Sequence, residues 1–303
     1  MRREEECEEI FRENAPFWHL YSPGNLRELI IKEEKEYIDA MNIIAFCASQ
    51  SDNIQILTFQ VMSNHFHFVV SGSEKSVEEF GELLRKKILR IFYGSVNSYI
   101  AKEFSFKHIL IDNLLYLRNV IAYVNRNGYL VNENHTPFSY PWGANSYFFN
   151  QLHKMQNKTY ISDTSIREKK KMFKTHLVDI PTTYYVTDGY INPYCYCKID
   201  LAENIFKNAQ QYFTIISRRV ESFTEIAKEL EDKVFYTDNE IYQIVTNLCL
   251  KNYNVKKASE LQAADKLTMA ILLKNKYNCT KKQVARLLSL EQEIIAQLFP
   301  TIS

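Results

Sequence analysis

The chain has no excess of charge. Its 37 Lys and Arg against 36 Asp and Glu leave a formal net charge of +1, which argues against a surface coated for non-specific duplex binding. Any contact with a polyanion must come from local basic clusters. No stretch approaches the roughly eighteen apolar residues needed to span a bilayer, and the opening Met1-Arg2-Arg3-Glu4-Glu5-Glu6-Cys7 has no apolar leader core. The expectation is a cytoplasmic protein with no membrane partner. Six cysteines are scattered, and the one close pair, in Cys195-Tyr196-Cys197, does not have zinc-knuckle spacing. All six are expected to be reduced packing residues. What is present is apolar and aromatic: 46% hydrophobic and 14% aromatic residues over 303 positions describe a well-cored chain long enough for two domains.

The most informative run is Val61-Met62-Ser63-Asn64-His65-Phe66-His67-Phe68-Val69-Val70. Successive side chains on a strand point to opposite faces, so His65 and His67 share one face while Phe66 and Phe68 fill the other. Two imidazoles held by one strand suit a divalent ion. The alternative is two satisfied polar residues on a half-buried strand. Further on, Leu117, Val120, Ile121 and Val124 recur at helical spacing within 112–131, and Gly128 is placed to end that helix. Tyr123 and Asn127 lie four residues apart on it and are neighbours on one face. By itself such a pair also fits a packed aromatic beside a solvated amide.

Together these segments resemble the single-tyrosine HUH transposases, and more closely the REP-associated tyrosine transposases of bacterial genomes. That family carries a methionine and then Asn-His-hydrophobic-His before an apolar strand end, matched by Met62, Asn64, His65, Phe66 and His67. Its later helix carries Arg-Tyr-Ile-His-Leu-Asn-Pro, against Ala122-Tyr123-Val124-Asn125-Arg126-Asn127-Gly128. A Tyr-Pro-Trp-Ser-Ser-Tyr segment is matched by Tyr140-Pro141-Trp142-Gly143-Ala144-Asn145-Ser146-Tyr147, and Phe17-Trp18-His19-Leu20-Tyr21-Ser22 stands where the family begins its sheet. The likeness covers residues 15 to 150. This chain departs from the family in having Gly128 in place of a proline and a shorter, less basic Phe104-Ser105-Phe106-Lys107-His108 segment.

The resemblance implies an α+β fold, a ferredoxin-like antiparallel sheet with helices on one face. It implies metal-dependent nicking and strand transfer on single-stranded or hairpin DNA, with Tyr123 as nucleophile and a 5′-phosphotyrosine product that conserves bond energy. His65 and His67 would hold Mg²⁺ or Mn²⁺, with Asn127 as third ligand through its amide oxygen. A homodimer partner, with Tyr123 acting in its own or its partner's site, belongs to the same expectation. Two other readings stay open: a non-catalytic DNA-binding or regulatory protein on the same scaffold, and a phosphodiesterase acting on RNA or a small molecule.

Basic residues cluster in two places. A helix over 76–93 sets Arg85, Lys86, Lys87 and Arg90 against an apolar face of Phe80, Leu84, Ile88 and Ile91. Glu82 and Lys86 read as an ordinary ion pair, and Arg85 and Arg90 are assigned to DNA backbone contact. The second cluster, Lys169, Lys170, Lys171 and Lys174, falls in a polar stretch, 156–174, that reads as a linker.

Three divisions follow: 1–150 as the catalytic domain, 151–235 as a connecting region and 236–303 as a helical domain. Within the second, the turn signals Asp188-Gly189 and Asn192-Pro193 break a β-branched, tyrosine-rich stretch. Thr237 to Glu240 has a capping-box shape and opens one helix, and 267–274 reads as another. Thr280 to Phe299 looks like a helix-turn-helix, with Thr280 and Gln283 closing a box and Val284, Leu288, Leu290, Ile295 and Leu298 packing inward. Lys281, Lys282 and Arg286 are its expected DNA contacts. The acidic Glu291 and Glu293 on the second helix leave a packing role open.

Overall fold

Strand pairing sets the central layer. The structure is a computed structural model that describes residues 2–22, 30–31, 33–63, 65–92, 104–131, 138–176, 179–217, 226–227 and 238–300, in two compact units, 1–218 and 219–303. The first opens with α1 (Arg2–Asn14), β1 (Phe17–Tyr21), α2 (Glu34–Ser49), β2 (Gln55–Val61), β3 (Phe66–Ser71), α3 (Glu74–Phe92), β4 (Lys107–Ile111) and α4 (Leu114–Val131). The sheet order is β2-β3-β1-β4, and every neighbouring pair is antiparallel. β3 is therefore inserted between the two strands that α2 connects. The expected α+β architecture with an antiparallel sheet is present.

Helices cover both faces of that sheet, not one. Phe68 meets Phe80 of α3, ring centroids 5.9 Å apart, and a Cβ on Gly81 would lie 3.3 Å from Leu20. On the opposite face His67 meets Tyr123 of α4 at 5.7 Å, and Thr58 of β2 donates to Asn125 Oδ1. The reason is in the burial: all six residues of β3 are buried, and a strand buried on both faces needs a layer on each side. Two local expectations also change. The 61–70 run is a hairpin, not one strand: β2 ends at Val61, β3 begins at Phe66, and Met62 N–H donates to His65 C=O at 2.9 Å across the turn. Asn64 lies outside the described residues. Helix α4 continues through Gly128 to Val131, since an interior glycine costs only about 1 kcal/mol relative to alanine and Leu117, Val120, Ile121, Ala122 and Val124 are fully buried upstream.

The outer edge of β2 is covered by chain from further along. Val61 N–H donates to Trp142 C=O at 2.8 Å, and Ala144 N–H donates to Phe59 C=O at 3.0 Å. Gly143 sits where a Cβ would meet Phe59 O and Gln60 Oε1, each at 2.8 Å, so only glycine allows this approach. Lys198 N–H donates to Ile56 C=O at 2.7 Å.

The stretch 151–217 packs into this first unit. It contains β5 (Thr159–Tyr160), α5 (Ile166–Phe173), β6 (Tyr185–Thr187), β7 (Tyr190–Ile191), α6 (Ile199–Asn204) and α7 (Ala209–Ile216), with β5-β6-β7 forming a second sheet. The stretch read as a linker holds α5, capped by Ser165 and Glu168 and anchored by buried Phe173 6.1 Å from Phe46. Asp188 and Gly189 have φ of 53° and 86°, the positive pair of a type I′ hairpin turn. Buried Asn42 of α2 accepts from Ile191 N–H at 2.9 Å, tying that hairpin to the main sheet's cover.

The second unit has α8 (Asp238–Tyr253), α9 (Ala263–Lys276), α10 (Lys281–Leu288) and α11 (Gln292–Leu298) around a core that includes Val245, Met269, Leu273, Val284, Leu288 and Ile295. The Thr280–Gln283 capping box is present, with bonds of 2.9 and 3.1 Å, and Ser289 takes φ 51° between α10 and α11. Thr237 lies outside the described residues. All six cysteines are free thiols, and burial pushes the Cys47 thiol up to about 12 and the Cys195 thiol up to about 11. Among the described residues no helix is long and apolar enough to cross a membrane.

A buried polar chain joins β2, α4 and α7: Thr58 donates to Asn125 Oδ1, Asn125 Nδ2 to Tyr212 Oη at 2.8 Å, and Tyr212 Oη to Asn145 Oδ1. Truncating its middle takes away the acceptor of Thr58 Oγ1 and one of the two bonds of Tyr212 Oη. Asn125→Ala should lower the unfolding free energy by about 1–3 kcal/mol, read as a fall in urea midpoint at unchanged slope. An unchanged midpoint would mean that water replaces the amide without loss.

Candidate functional site

Three elements bring the site together. Register on the central strands places Tyr21 opposite His67 and His19 opposite Val69, so His19, Tyr21 and His67 share the face that α4 covers. His65 stands immediately before β3. Its position is fixed by the Met62–His65 turn bond and by Phe66, whose N–H donates to Ser22 Oγ and whose C=O accepts from Ser22 N–H, both at 2.9 Å. Tyr140 Oη donates to Val61 C=O at 2.7 Å and steadies the other side of the hairpin; burial raises that phenol above its ordinary value.

His67 is ringed by aromatic groups. The His65 ring lies 4.8 Å away at 89°, His19 5.3 Å at 34°, Tyr123 5.7 Å at 84° and Tyr21 6.4 Å at 18°. His19 also lies 6.3 Å from Tyr123. His65, His67 and Tyr123 are thus brought together from segments distant in sequence. Asn127 is one turn beyond Tyr123 on the same helix and is buried. The whole cluster is enclosed: His19, His65, His67, Tyr123 and Asn127 are 1, 3, 0, 4 and 7% exposed.

The other assigned residues lie elsewhere. α3 covers the sheet face opposite Tyr123, so Arg85 and Arg90 are not beside it. Arg85 Nε donates to Phe104 C=O at 3.0 Å and its Nη1 pairs with Glu82 at 3.3 Å, an arrangement that holds the 104–106 segment; Arg90 is exposed in the last turn. Lys281, Lys282 and Arg286 belong to the second unit. Lys281 and Lys282 border a cleft with Ala285, Ile295 and Ala296, and Arg286 is exposed.

In the sequence His19 stands only as one residue of the Phe17–Ser22 match. A lone imidazole within Phe17–Tyr21, a strand buried at all five positions, is the signal that marks it: burial of a ring with two polar nitrogens calls for a partner. Its Nε2 lies 3.2 Å from Nδ1 of His67.

As donor types, two imidazoles are borderline ligands and an amide oxygen is a hard one, a set that would suit a divalent cation while bringing no negative charge of its own. The group of three or more His, Cys, Asp or Glu whose ligand atoms approach within 4.8 Å is elsewhere among the described residues: Glu74, Glu78 and His108. It is an exposed cluster on the α3 side, with a His108–Glu74 contact of 3.2 Å, and reads as a surface ion pair with a second carboxylate nearby.

No family model, curated protein or solved structure matches the chain.

If the paired histidines ligate, His65→Ala and His67→Ala should each weaken Mn²⁺ binding at least tenfold, because each removes one of few protein ligands from a preorganised site. Asn127→Ala should weaken it less. Calorimetric titration checks this; unchanged affinity in both histidine variants would make the pair structural.

Proposed function

We propose that the chain is a metal-dependent DNA nicking and strand-transfer protein of the single-tyrosine HUH type, acting on single-stranded or hairpin DNA. What carries the reading is the convergence of Tyr123 with the His65–His67 pair, residues whose types and order resemble that family and which come from two segments far apart in sequence. The strand order β2-β3-β1-β4 with β-α-β-β-α-β connectivity supports it further, being the ferredoxin-like arrangement. The helix pair around Ser289 supports a DNA-binding helix-turn-helix in the second unit.

On this reading Tyr123 Oη attacks the scissile phosphorus as the phenol gives up its proton. The P–O bond to the 3′ oxygen breaks, that oxygen takes up a proton, and the 5′ phosphate remains on the tyrosine. His65 and His67, with Asn127, would hold a divalent ion that polarises the phosphate. The His67 ring stands edge-on to Tyr123 with centroids 5.7 Å apart and would limit how far the phenol can swing. Rejoining reverses the exchange and needs no nucleotide cofactor. The burial of Tyr123 and the commitment of Arg85 to Phe104 favour the second reading, a non-catalytic DNA-binding protein on the same scaffold.

Tyr123→Phe removes one oxygen and keeps the ring packing. Incubated with a pool of single-stranded hairpins and Mn²⁺, the wild-type chain should yield protein-linked DNA and the variant none, at unchanged Mn²⁺ affinity. Adducts at wild-type yield in the variant would move the nucleophile elsewhere, with Tyr116 and Tyr129 next to test. No adduct from either chain, with hairpin binding retained, would establish the non-catalytic reading. In the full chain, replacing Lys281, Lys282 and Arg286 together by alanine should weaken binding to duplex-armed targets and flatten its salt dependence; equal affinity at two salt concentrations would leave α10 and α11 as a packing module.

A further inference from the structure

We propose that the outward face of α5 and the β5–β6 pair beside it form a second contact surface for single-stranded DNA, on the other side of the main sheet from Tyr123. The proposal needs neither the metal nor the tyrosine chemistry and goes beyond both.

The first observation is where the charge lies. Residues 151–176 carry seven Lys and Arg against two Asp and Glu, in a chain whose formal net charge is only +1, so the remainder is net acidic. Within that stretch Arg167, Lys170 and Lys171 are exposed and recur at i, i+3 and i+4 on α5, turned away from Phe173, which is buried 6.1 Å from Phe46. Lys174 is committed to Asp39 at 3.4 Å. Among the described residues, the ion pairs take in Lys174 but none of Arg167, Lys170 and Lys171.

Helix stability does not account for this stripe. Lys170 and Lys171 fall in the last turn, where a cation complements the helix dipole. Arg167 falls in the first turn, where a cation opposes it, and Arg167 and Lys171 are like charges at i,i+4. A row of phosphates laid along the helix relieves both conflicts and releases its own counterions on binding.

The second observation is aromatic. Tyr160 lies on β5, the edge strand of the second sheet, and is 41% exposed. It stands opposite Tyr185 with ring centroids 5.9 Å apart, and Lys158 Nζ lies 4.7 Å over the Tyr185 ring. One short 3-10 turn separates Tyr160 from α5, so ring and basic stripe adjoin along the chain. Cations beside an exposed ring are what a single strand uses: its phosphates take the cations and an unstacked base takes the ring. A duplex hides its base faces from Tyr160, and an acidic peptide leaves the ring unused. Position separates this surface from the proposed active site. α5 rests on α2 through Phe173 and Lys174, and α2 meets α3 where Lys87 Nζ lies 4.1 Å over the Phe46 ring; α3 is on the sheet face opposite Tyr123.

The test titrates the full-length chain, in chelator and without added metal, with labelled oligo-dT over a series of salt concentrations. Replacing Arg167, Lys170 and Lys171 together by alanine should weaken binding at low salt about tenfold or more. It should also flatten the slope of log affinity against log salt by about 2, at roughly 0.7 for each lost phosphate contact. A charge-matched variant with Lys251, Lys256 and Lys257, exposed in the second unit, replaced by alanine should keep the wild-type slope. Tyr160→Ala should weaken binding about fivefold or more at unchanged slope, and Tyr160→Phe, which keeps the ring, should bind as the wild type does. All these side chains are exposed, so the core is left intact. The proposal is overturned if the wild-type chain does not bind oligo-dT, if the triple variant keeps the wild-type slope, if the charge-matched variant loses as much, or if Tyr160→Ala binds undiminished. It is equally overturned if polyglutamate or phosphatidylserine vesicles compete as well as oligo-dT does. Tyr123→Phe tests nicking separately, and oligo-dT binding decides this surface whether or not adducts form.

Discussion

The exposed edge of β2 is the constraint on which the first unit depends. An edge strand presents a row of backbone donors and acceptors that must be paired, covered or left to aggregate. Here they are met by residues 142–144 and by Lys198. The chain must therefore return twice to the same edge after leaving α4, and that return draws 151–217 into the unit that holds Tyr123. It also ties down the end of β2. Val61 is gripped from outside by Trp142 and Tyr140, so the turn that leads into His65 starts from a fixed point.

A sheet buried on both faces then has to satisfy every polar group it encloses. On the α3 side the solution is apolar, with Phe66, Phe68, Phe80, Phe104 and Phe106 packing ring against ring. On the α4 side it is polar. Thr58, Asn125, Tyr212 and Asn145 form one chain of bonds, and His19 and His67 form another contact. Such networks specify a register more sharply than apolar packing, because a slip leaves a donor or acceptor stranded. The chemistry assigned to this face thus sits where the geometry is most strictly held.

Local features were readable in the sequence because neighbouring residues decide them. The alternation through His65 to Phe68, the helical spacing of Leu117 to Val124, the Asp188-Gly189 turn and the Thr280–Gln283 cap each rest on bonds spanning a few residues. Relations between distant segments were not. The pairing of Gly143 with β2, the bond from Ile191 to Asn42 and the packing of Phe173 on Phe46 have no local signal. A connecting region was therefore expected where a second small sheet is found. The two-faced burial did leave a trace, since Phe66, Phe68 and Val70 on one face and Val69 on the other are apolar, but His65 and His67 on that second face read equally as satisfied polar residues on a half-buried strand. Arg85 misled for a related reason: a helix's basic stripe shows charge, not which side of a sheet the helix will cover.

The placement of charge bears on how the proposed reaction would begin. With Arg85 and Arg90 behind the sheet, and Arg118 held by Glu4 at 2.8 Å, strand attraction to the Tyr123 face has little long-range support. Lys107 is one basic residue that register places there, opposite Tyr21. The proposed ligand set is itself neutral and brings no carboxylate of its own to offset the desolvation of a dication. A phosphodiester brings the missing negative charge. On the proposed function, metal and strand must therefore strengthen each other's binding by the same factor. The ion is then held firmly only when there is a phosphate for it to polarise.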